Sequence, residues 1–172
     1  GLALVLGLYQ MSRPELWRDE LASWSFASRP VTEMFSAARH TGATQLAYYL
    51  LLHVWIVAFG DSADAMRALS VLAMAAAAAC VALVGRRLAG ARAGLVAGLV
   101  FALVPSVSRF AQEVRFYALA TLVATLATLL LLLRALDRPS ALRWLAYATS
   151  LALLGYVDIE DLTAYVALPA TT

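Results

Sequence analysis

The chain has 172 residues, of which 63% are hydrophobic and only 14% are charged, with a formal net charge of +2 and a mean hydropathy of +0.79. A soluble chain of this length could not bury so much apolar surface, so the composition excludes a soluble globular domain and predicts an integral membrane protein. The single cysteine, Cys80, excludes an intrachain disulfide and a metal cluster held by thiolates.

In chain order, the first predicted element is an apolar stretch from Leu2 to Met11. We interpret it as the end of a membrane helix, and the chain as an N-terminal piece of a longer protein. Arg18-Asp19-Glu20, here named the first charged cluster, follows this stretch. Ionisable groups at the end of a membrane helix are expensive to place and are usually functional, although Asp19 is also well suited to cap a helix that begins at Glu20.

Two short amphipathic helices on the membrane surface are predicted after the first charged cluster, separated by Pro30 and ended by Gly42. Small or apolar residues recur at helical spacing, first as Leu21, Trp24 and Ala27 or Ser28, and then as Val31, Met34, Phe35 and Ala38. A third helix is predicted over the apolar run from Leu46 to Phe59, whose aromatic content is typical of the membrane interface.

Four charge-free runs beyond residue 60 are candidate membrane spans, namely Ala68 to Gly85, Ala93 to Ser108, Phe116 to Leu133 and Trp144 to Val157. Together with the first helix they predict about five membrane helices, with the surface helices at residues 19–59 in the first loop. The segment Gln112-Glu113-Val114-Arg115-Phe116-Tyr117, here named the second charged cluster, lies between the second and third of these spans.

The uncharged segment from Thr41 to Gly60 decides whether the two charged clusters face the same side of the membrane. If it lies in the interface, the two arginine-rich loops share a side that the positive-inside rule makes cytoplasmic, and both clusters lie outside. If it spans, the clusters fall on opposite faces. We favour the interfacial alternative, because it assembles a shared site. The loop arginines are Arg86, Arg87 and Arg92, and then Arg134, Arg138 and Arg143.

Four motifs stand in order along the chain, namely Arg18-Asp19-Glu20, Gln45 to Trp55, Gly85 to Leu95 and Gln112 to Leu119. Together they resemble the GT-C glycosyltransferases, and among these the branch of protein O-mannosyltransferases and aminoarabinose transferases. The resemblance covers most of the chain. It implies an all-α, polytopic transmembrane fold of the GT-C type, with juxtamembrane helices in the first extracytoplasmic loop. Residues 41–45 depart from the pattern, because they lack the proline-containing element of many relatives.

The resemblance implies that a sugar is transferred from a polyprenyl-phosphate donor to an acceptor hydroxyl of a glycan, lipid or protein, with no nucleic-acid partner. The enzyme is expected in the lipid bilayer of a bacterial cytoplasmic membrane, with an extracytoplasmic active site and a mannosyltransferase-like, inverting reaction. His40 and His53 show no spacing for metal ligation. The cofactor therefore stays open, although a divalent cation is compatible with the chemistry.

Such a reaction needs a base for the acceptor hydroxyl and fixed positive charge for the departing phosphate. The expected catalytic residues are Asp19, Glu20 and Glu113, and the expected substrate-binding residues are Arg18, Arg115, Tyr117, Tyr48 and Tyr49. Because neighbouring residues of a helix point about 100° apart, only one of Asp19 and Glu20 can face the site squarely. Structural alternatives are a pair of Glu113 with Arg109 or Tyr117 at four-residue spacing, a snorkelling Arg115 and interface anchoring by the tyrosines.

Two other functions remain open. A transporter or flippase of lipid-linked sugars would place ionisable residues at the midplane of its helices, whereas the charges here cluster at helix ends. A non-catalytic membrane scaffold subunit would make the Asp19-Glu20 pair incidental. The position of the charges favours the glycosyltransferase.

Overall fold

The computed structural model describes residues 1–9, 18–41 and 45–132, together with residues 142, 145, 148 and 149. Within these ranges all regular structure is helical and no strand occurs, which confirms the predicted all-α class. The helices are α1 (Leu2–Leu8), α2 (Arg18–Ala27), α3 (Val31–Thr41), α4 (Leu46–Phe59), α5 (Ala63–Ala89), α6 (Ala91–Leu103), α7 (Pro105–Ala111) and α8 (Tyr117–Leu130).

Helices α2, α3 and α4 are present where three helices are predicted between residues 19 and 59, and α2 and α3 each pack on α4. The ring of Phe26 in α2 lies 4.6 Å from that of Tyr49 in α4, measured between centroids. At the end of α2, the carbonyl oxygen of Ala27 lies 2.7 Å from Nδ1 of His53 and forms a hydrogen bond with it. This contact uses one of the carbonyls that a helix leaves without a partner at its C-terminus, and it joins α2 to α4.

Helix α4 lies at the end of the helix bundle where α5 begins. Its Trp55 donates a hydrogen bond from Nε1 to the carbonyl oxygen of Ala65, over 2.7 Å, in the first turn of α5. Two turns earlier, Tyr48 and Leu52 belong to a buried cluster that also contains Met66. Both parts of α4 therefore lie near the start of α5. With 14 residues, α4 is about 21 Å long, which is short for a helix that crosses a bilayer.

Helices α5 and α6 form a close hairpin around Gly90, whose φ of +89° is a conformation that favours glycine. Their contact surface consists of small residues. A Cβ atom on Gly94 of α6 would lie 2.5 Å from the carbonyl oxygen of Ala82, and one on Gly98 would lie 2.8 Å from the Cβ of Ala82. Small residues let membrane helices approach closely, and α1, α4, α7 and α8 pack on this hairpin.

The predicted span from Ala93 to Ser108 is not one straight helix. It breaks at Val104, where the chain is extended (φ −64°, ψ 124°), and α6 and α7 meet at a bend of 66°. Pro105 is the reason, because its ring disfavours the helical conformation of the residue before it and it has no N–H to donate to the preceding turn. Pro105 instead occupies the first turn of α7.

In the described part of the chain, α5 is the helix that is long and apolar enough to cross a membrane by itself, and α6 with α7 is a second candidate if the bent pair is one span. Helices α4 and α8 are shorter apolar helices. The predicted span Trp144 to Val157 lies outside the described residues except for positions 145, 148 and 149, and the division into about five membrane helices stays a prediction.

Candidate active site

One end of the helix bundle gathers the end of α1, the start of α2, the start of α5 and the loop between α7 and α8. Gln112 in that loop donates from Nε2 to three carbonyl oxygens of the first segment, those of Tyr9 at 2.9 Å, Gly7 at 3.2 Å and Leu6 at 3.4 Å. These carbonyls lie at the C-terminus of α1, where a helix has none of its own donors left. These hydrogen bonds fix the loop of the second charged cluster to α1, the helix that precedes the first charged cluster.

The two charged clusters meet at this end. Oδ2 of Asp19 lies 3.8 Å from Nη1 of Arg115, and the two residues are 96 positions apart in the sequence. The Asp19 side chain is 62% exposed and that of Arg115 is 23% exposed, so the carboxylate faces the opening and the guanidinium lies deeper. Asp19 lies inside the first turn of α2, which begins at Arg18, and so it is not the cap of a helix starting at Glu20.

Glu20 points the other way and is completely buried. Its carboxylate accepts two hydrogen bonds from Arg67, from Nε at 3.1 Å and from Nη2 at 2.8 Å, and Arg67 is itself 1% exposed. Oε1 of Glu20 also accepts a hydrogen bond from the backbone N–H of Val114, over 2.9 Å. This buried carboxylate therefore joins α2, α5 and the second charged cluster.

Glu113 is held between α7 and α5. Its Oε1 accepts a hydrogen bond from Nε of Arg109 at 2.9 Å, which confirms the predicted pair at four-residue spacing. Its backbone carbonyl accepts a hydrogen bond from Oγ of Ser70, at 2.7 Å. The Glu113 side chain is 11% exposed whereas that of Arg109 is 65% exposed, so the pair runs from the protein interior to its surface.

A cavity of about 270 Å³ opens between these groups. It is lined by two carboxylates, two guanidinium groups and two aromatic rings, which are Asp19, Glu113, Arg109, Arg115, Phe110 and Tyr117. The rings of Phe110 and Tyr117 lie 5.0 Å apart, and the guanidinium carbon of Arg115 lies 5.5 Å from the centre of the Tyr117 ring. The cavity therefore offers charged groups of both signs against an apolar wall.

Arg115 carries a firmly fixed positive charge. Its partial burial disfavours the charge, but hydrogen bonding to Tyr117 and the nearby Asp19 carboxylate outweigh this, so the pKa of Arg115 lies above its usual value. The Phe116 ring contributes as well, because the guanidinium carbon of Arg115 lies 5.9 Å from its centre. A cation held in this way is suited to bind an anionic group that enters the cavity.

The other substrate-binding residues expected from the sequence, Arg18, Tyr48 and Tyr49, are not among the residues that line this cavity. Arg18 is exposed at the start of α2. Tyr49 donates from its hydroxyl to Oε1 of Gln45, over 2.9 Å. Tyr48 is buried, and its hydroxyl has no hydrogen-bond partner among the described residues. Burial raises the pKa of Tyr48 far above its usual value, so this hydroxyl stays protonated. Neither tyrosine is among the residues that line the cavity.

Arg67 also lies at this end, although the sequence analysis did not single it out. It lies in the second turn of α5, just before the predicted span from Ala68 to Gly85, where an arginine is ordinarily an interface anchor. Its burial depends on a partner 47 positions away, which no local pattern reveals. The described residues contain no group of three or more His, Cys, Asp or Glu side chains that could hold a metal ion. The sequence has a further acidic group, Asp158, Glu160 and Asp161, which lies outside the described residues.

Comparison with known families gives a match over most of the chain. The sequence model of the family described as dolichyl-phosphate-mannose-protein mannosyltransferase matches residues 42–171, about three quarters of the chain. The matched region contains the second charged cluster, whereas the first charged cluster precedes it. No curated protein and no solved structure matches the chain significantly.

Proposed function

This chain belongs to the dolichyl-phosphate-mannose-protein mannosyltransferase family, and from that premise we propose the details of its glycosyl transfer. The sugar comes from a polyprenyl-phosphate donor and goes to an acceptor hydroxyl of a glycan, lipid or protein. The transfer takes place on the extracytoplasmic side of a bacterial cytoplasmic membrane. The observation that carries this proposal is the pairing of Asp19 with Arg115, 3.8 Å apart, at the cavity near the start of α5.

Asp19 is the proposed base. Its exposed carboxylate takes the proton of the acceptor hydroxyl while the hydroxyl oxygen forms a bond to the anomeric carbon of the sugar. The bond between that carbon and the phosphate oxygen breaks, and its electron pair leaves with the polyprenyl phosphate. One displacement of this kind inverts the configuration at the anomeric carbon.

Arg115 is the proposed phosphate ligand. Negative charge grows on the phosphate as the sugar leaves, and a guanidinium fixed in advance stabilises that charge without having to reorganise. Arg109 adds a second, more exposed cation at the same cavity, held by Glu113. The paired rings of Phe110 and Tyr117 offer an apolar wall against which a sugar ring or the first isoprene unit can lie.

Glu113 and Glu20 have different proposed roles. Glu113 lines the cavity and is bonded to Arg109, so it orients that cation and supplies a second negative charge beside the sugar. Glu20 does not line the cavity, and both of its carboxylate oxygens accept hydrogen bonds from Arg67. This placement favours a structural role for Glu20 over the catalytic role expected from the sequence.

The proposed side of the membrane follows from the arginines at the other end of the hairpin. Arg86 and Arg87 lie in the last turn of α5, and Arg92 lies in the first turn of α6. These three residues are a helix length away from the cavity, and the positive-inside rule favours the cytoplasm for them. Helix α4 then lies on the outer membrane surface beside the site.

A reconstituted transfer reaction tests this function. The full-length protein in liposomes is given radiolabelled polyprenyl-phosphate mannose and a membrane extract as the source of acceptor, with a nucleotide-linked mannose as the control donor. Label that moves to an acceptor from the lipid-linked donor alone supports the proposal. Label that crosses the bilayer while still attached to its lipid indicates the transporter, and no change in the donor indicates the scaffold subunit.

A further inference from the structure

We propose that Glu20 and Arg67 form a positioning pair that sets the distance between Asp19 and Arg115 through the backbone N–H of Val114. This inference rests on the proposed function, because Asp19 and Arg115 are its reacting groups. It assigns a task to Arg67, which lies outside the cavity and was not expected at the site from the sequence.

The hydrogen bond from Val114 to Glu20 joins the two charged clusters directly beside the proposed reacting groups, Asp19 and Arg115. Glu20 follows Asp19 in the sequence, and Val114 precedes Arg115. The bond is 2.9 Å long and both residues are fully buried, so water does not compete for it. A single buried hydrogen bond thus fixes the backbone one residue away from Asp19 and one residue away from Arg115.

Arg67 holds the acceptor of that bond in place. Its guanidinium meets the Glu20 carboxylate through two hydrogen bonds, of 3.1 and 2.8 Å, and this forked geometry fixes the plane of the carboxylate. One turn further along α5, Ser70 donates to the carbonyl oxygen of Glu113. The backbone of the second charged cluster is therefore held at two consecutive residues, at Glu113 by Ser70 and at Val114 by the Glu20 carboxylate that Arg67 binds.

The outer pair cannot maintain this geometry alone. Asp19 and Arg115 are 3.8 Å apart, and an ion pair with one partner 62% exposed holds its members weakly. A displacement of about 1 Å in a reacting group is enough to slow an enzyme by roughly 100-fold. The buried layer below, made of Glu20, Arg67 and Val114, is where such a displacement is prevented.

Two double variants separate positioning from mere stability. Glu20→Leu/Arg67→Leu replaces the buried charges by apolar side chains, which proteins often tolerate without loss of stability, but it removes the acceptor for the Val114 N–H. Glu20→Gln/Arg67→Leu lacks the ion pair as well, yet it keeps a carbonyl oxygen in reach of Val114. It also buries an amide whose hydrogen-bonding capacity is only partly used, which lowers thermal stability. The two variants differ only at position 20.

The expected orders of activity and stability are opposite. We expect Glu20→Gln/Arg67→Leu to lose roughly threefold in the transfer reaction and Glu20→Leu/Arg67→Leu to lose roughly 100-fold, although the second variant melts at a higher temperature than the first. Hydrogen exchange at the Val114 amide should be slow in the first and fast in the second. Equal transfer rates in the two variants, or rates that simply follow their melting temperatures, would overturn the positioning role.

Failure of the proposed function has a different signature. The wild-type protein would then leave the lipid-linked donor unchanged, whatever the exchange rate at Val114, and this inference would fall with it. If the wild-type protein transfers sugar and both double variants transfer it at the wild-type rate, the positioning role is refuted while the proposed function stands.

Discussion

Replacement of Asp19 by asparagine should separate catalysis from folding more clearly than any other change at this site. The substitution keeps the shape of the side chain and removes its charge. At 3.8 Å, Asp19 and Arg115 attract by about 1 kcal/mol in water, and the 62% exposure of Asp19 together with salt screening reduces this further. An exposed pair of this kind contributes roughly 0.2–1 kcal/mol, so Asp19→Asn should leave the protein nearly as stable as the wild type.

The effect on transfer should be far larger. Loss of a positioned base slows a reaction by about 100- to 10,000-fold, which corresponds to roughly 3–5 kcal/mol in the barrier. The assay is the initial rate of sugar transfer by the full-length protein in liposomes, with thermal melting of the same samples. Glu33→Gln in α3 is the matched control, because Glu33 is exposed and does not line the cavity. A rate within threefold of the wild type would remove Asp19 from the mechanism.

Three further changes test the fold and the orientation. Arg67→Leu alone leaves the Glu20 charge buried, so the free energy of unfolding should fall by about 3–5 kcal/mol. Adding Glu20→Leu should restore most of this loss. Equal stability of the single and the double variant would contradict the prediction. Gly94→Val should separate α5 from α6 and lower the free energy of unfolding by roughly 1–3 kcal/mol, because the new Cβ atom would lie 2.5 Å from the carbonyl oxygen of Ala82. Leu95→Val, at an exposed position of the same helix, is the control. Asp61→Cys should react with a membrane-impermeant thiol reagent added outside intact cells, and labelling only after lysis would reverse the proposed orientation.

The sequence predicts those features of the fold that depend on neighbouring residues. Helix α4 runs from Leu46 to Phe59, as its apolar centre predicts, since an uninterrupted apolar run between a polar segment and Gly60 is a local signal. Helix α3 likewise begins at Val31, directly after Pro30, and ends at Thr41, directly before Gly42, where these two residues predict its limits. The pair of Arg109 with Glu113 is also local, because residues four apart lie on one face of a helix.

Features that depend on distant partners could not be predicted in this way. Glu20 looks like an ordinary acid of a first helical turn until Arg67, 47 residues later, is placed beside it. The contact of Asp19 with Arg115 needed the path of the intervening chain, which the sequence left as two alternatives. The break at Val104 had a local signal in Pro105, but hydropathy alone treats a proline in an apolar run as part of the span.

The path of the chain between the two charged clusters explains why they meet. From Asp19 the chain passes through α2, α3 and α4 at one end of the bundle, leaves along α5, and returns along α6 and α7 to Arg115. Helix α5 has 27 residues and is about 40 Å long. Had α4 crossed the bundle as well, one more crossing would have left Asp19 and Arg115 about this distance apart, whereas they are 3.8 Å apart. The hydrogen bond of Trp55 to Ala65 joins α4 to the first turn of α5, at the same end of the bundle as the cavity.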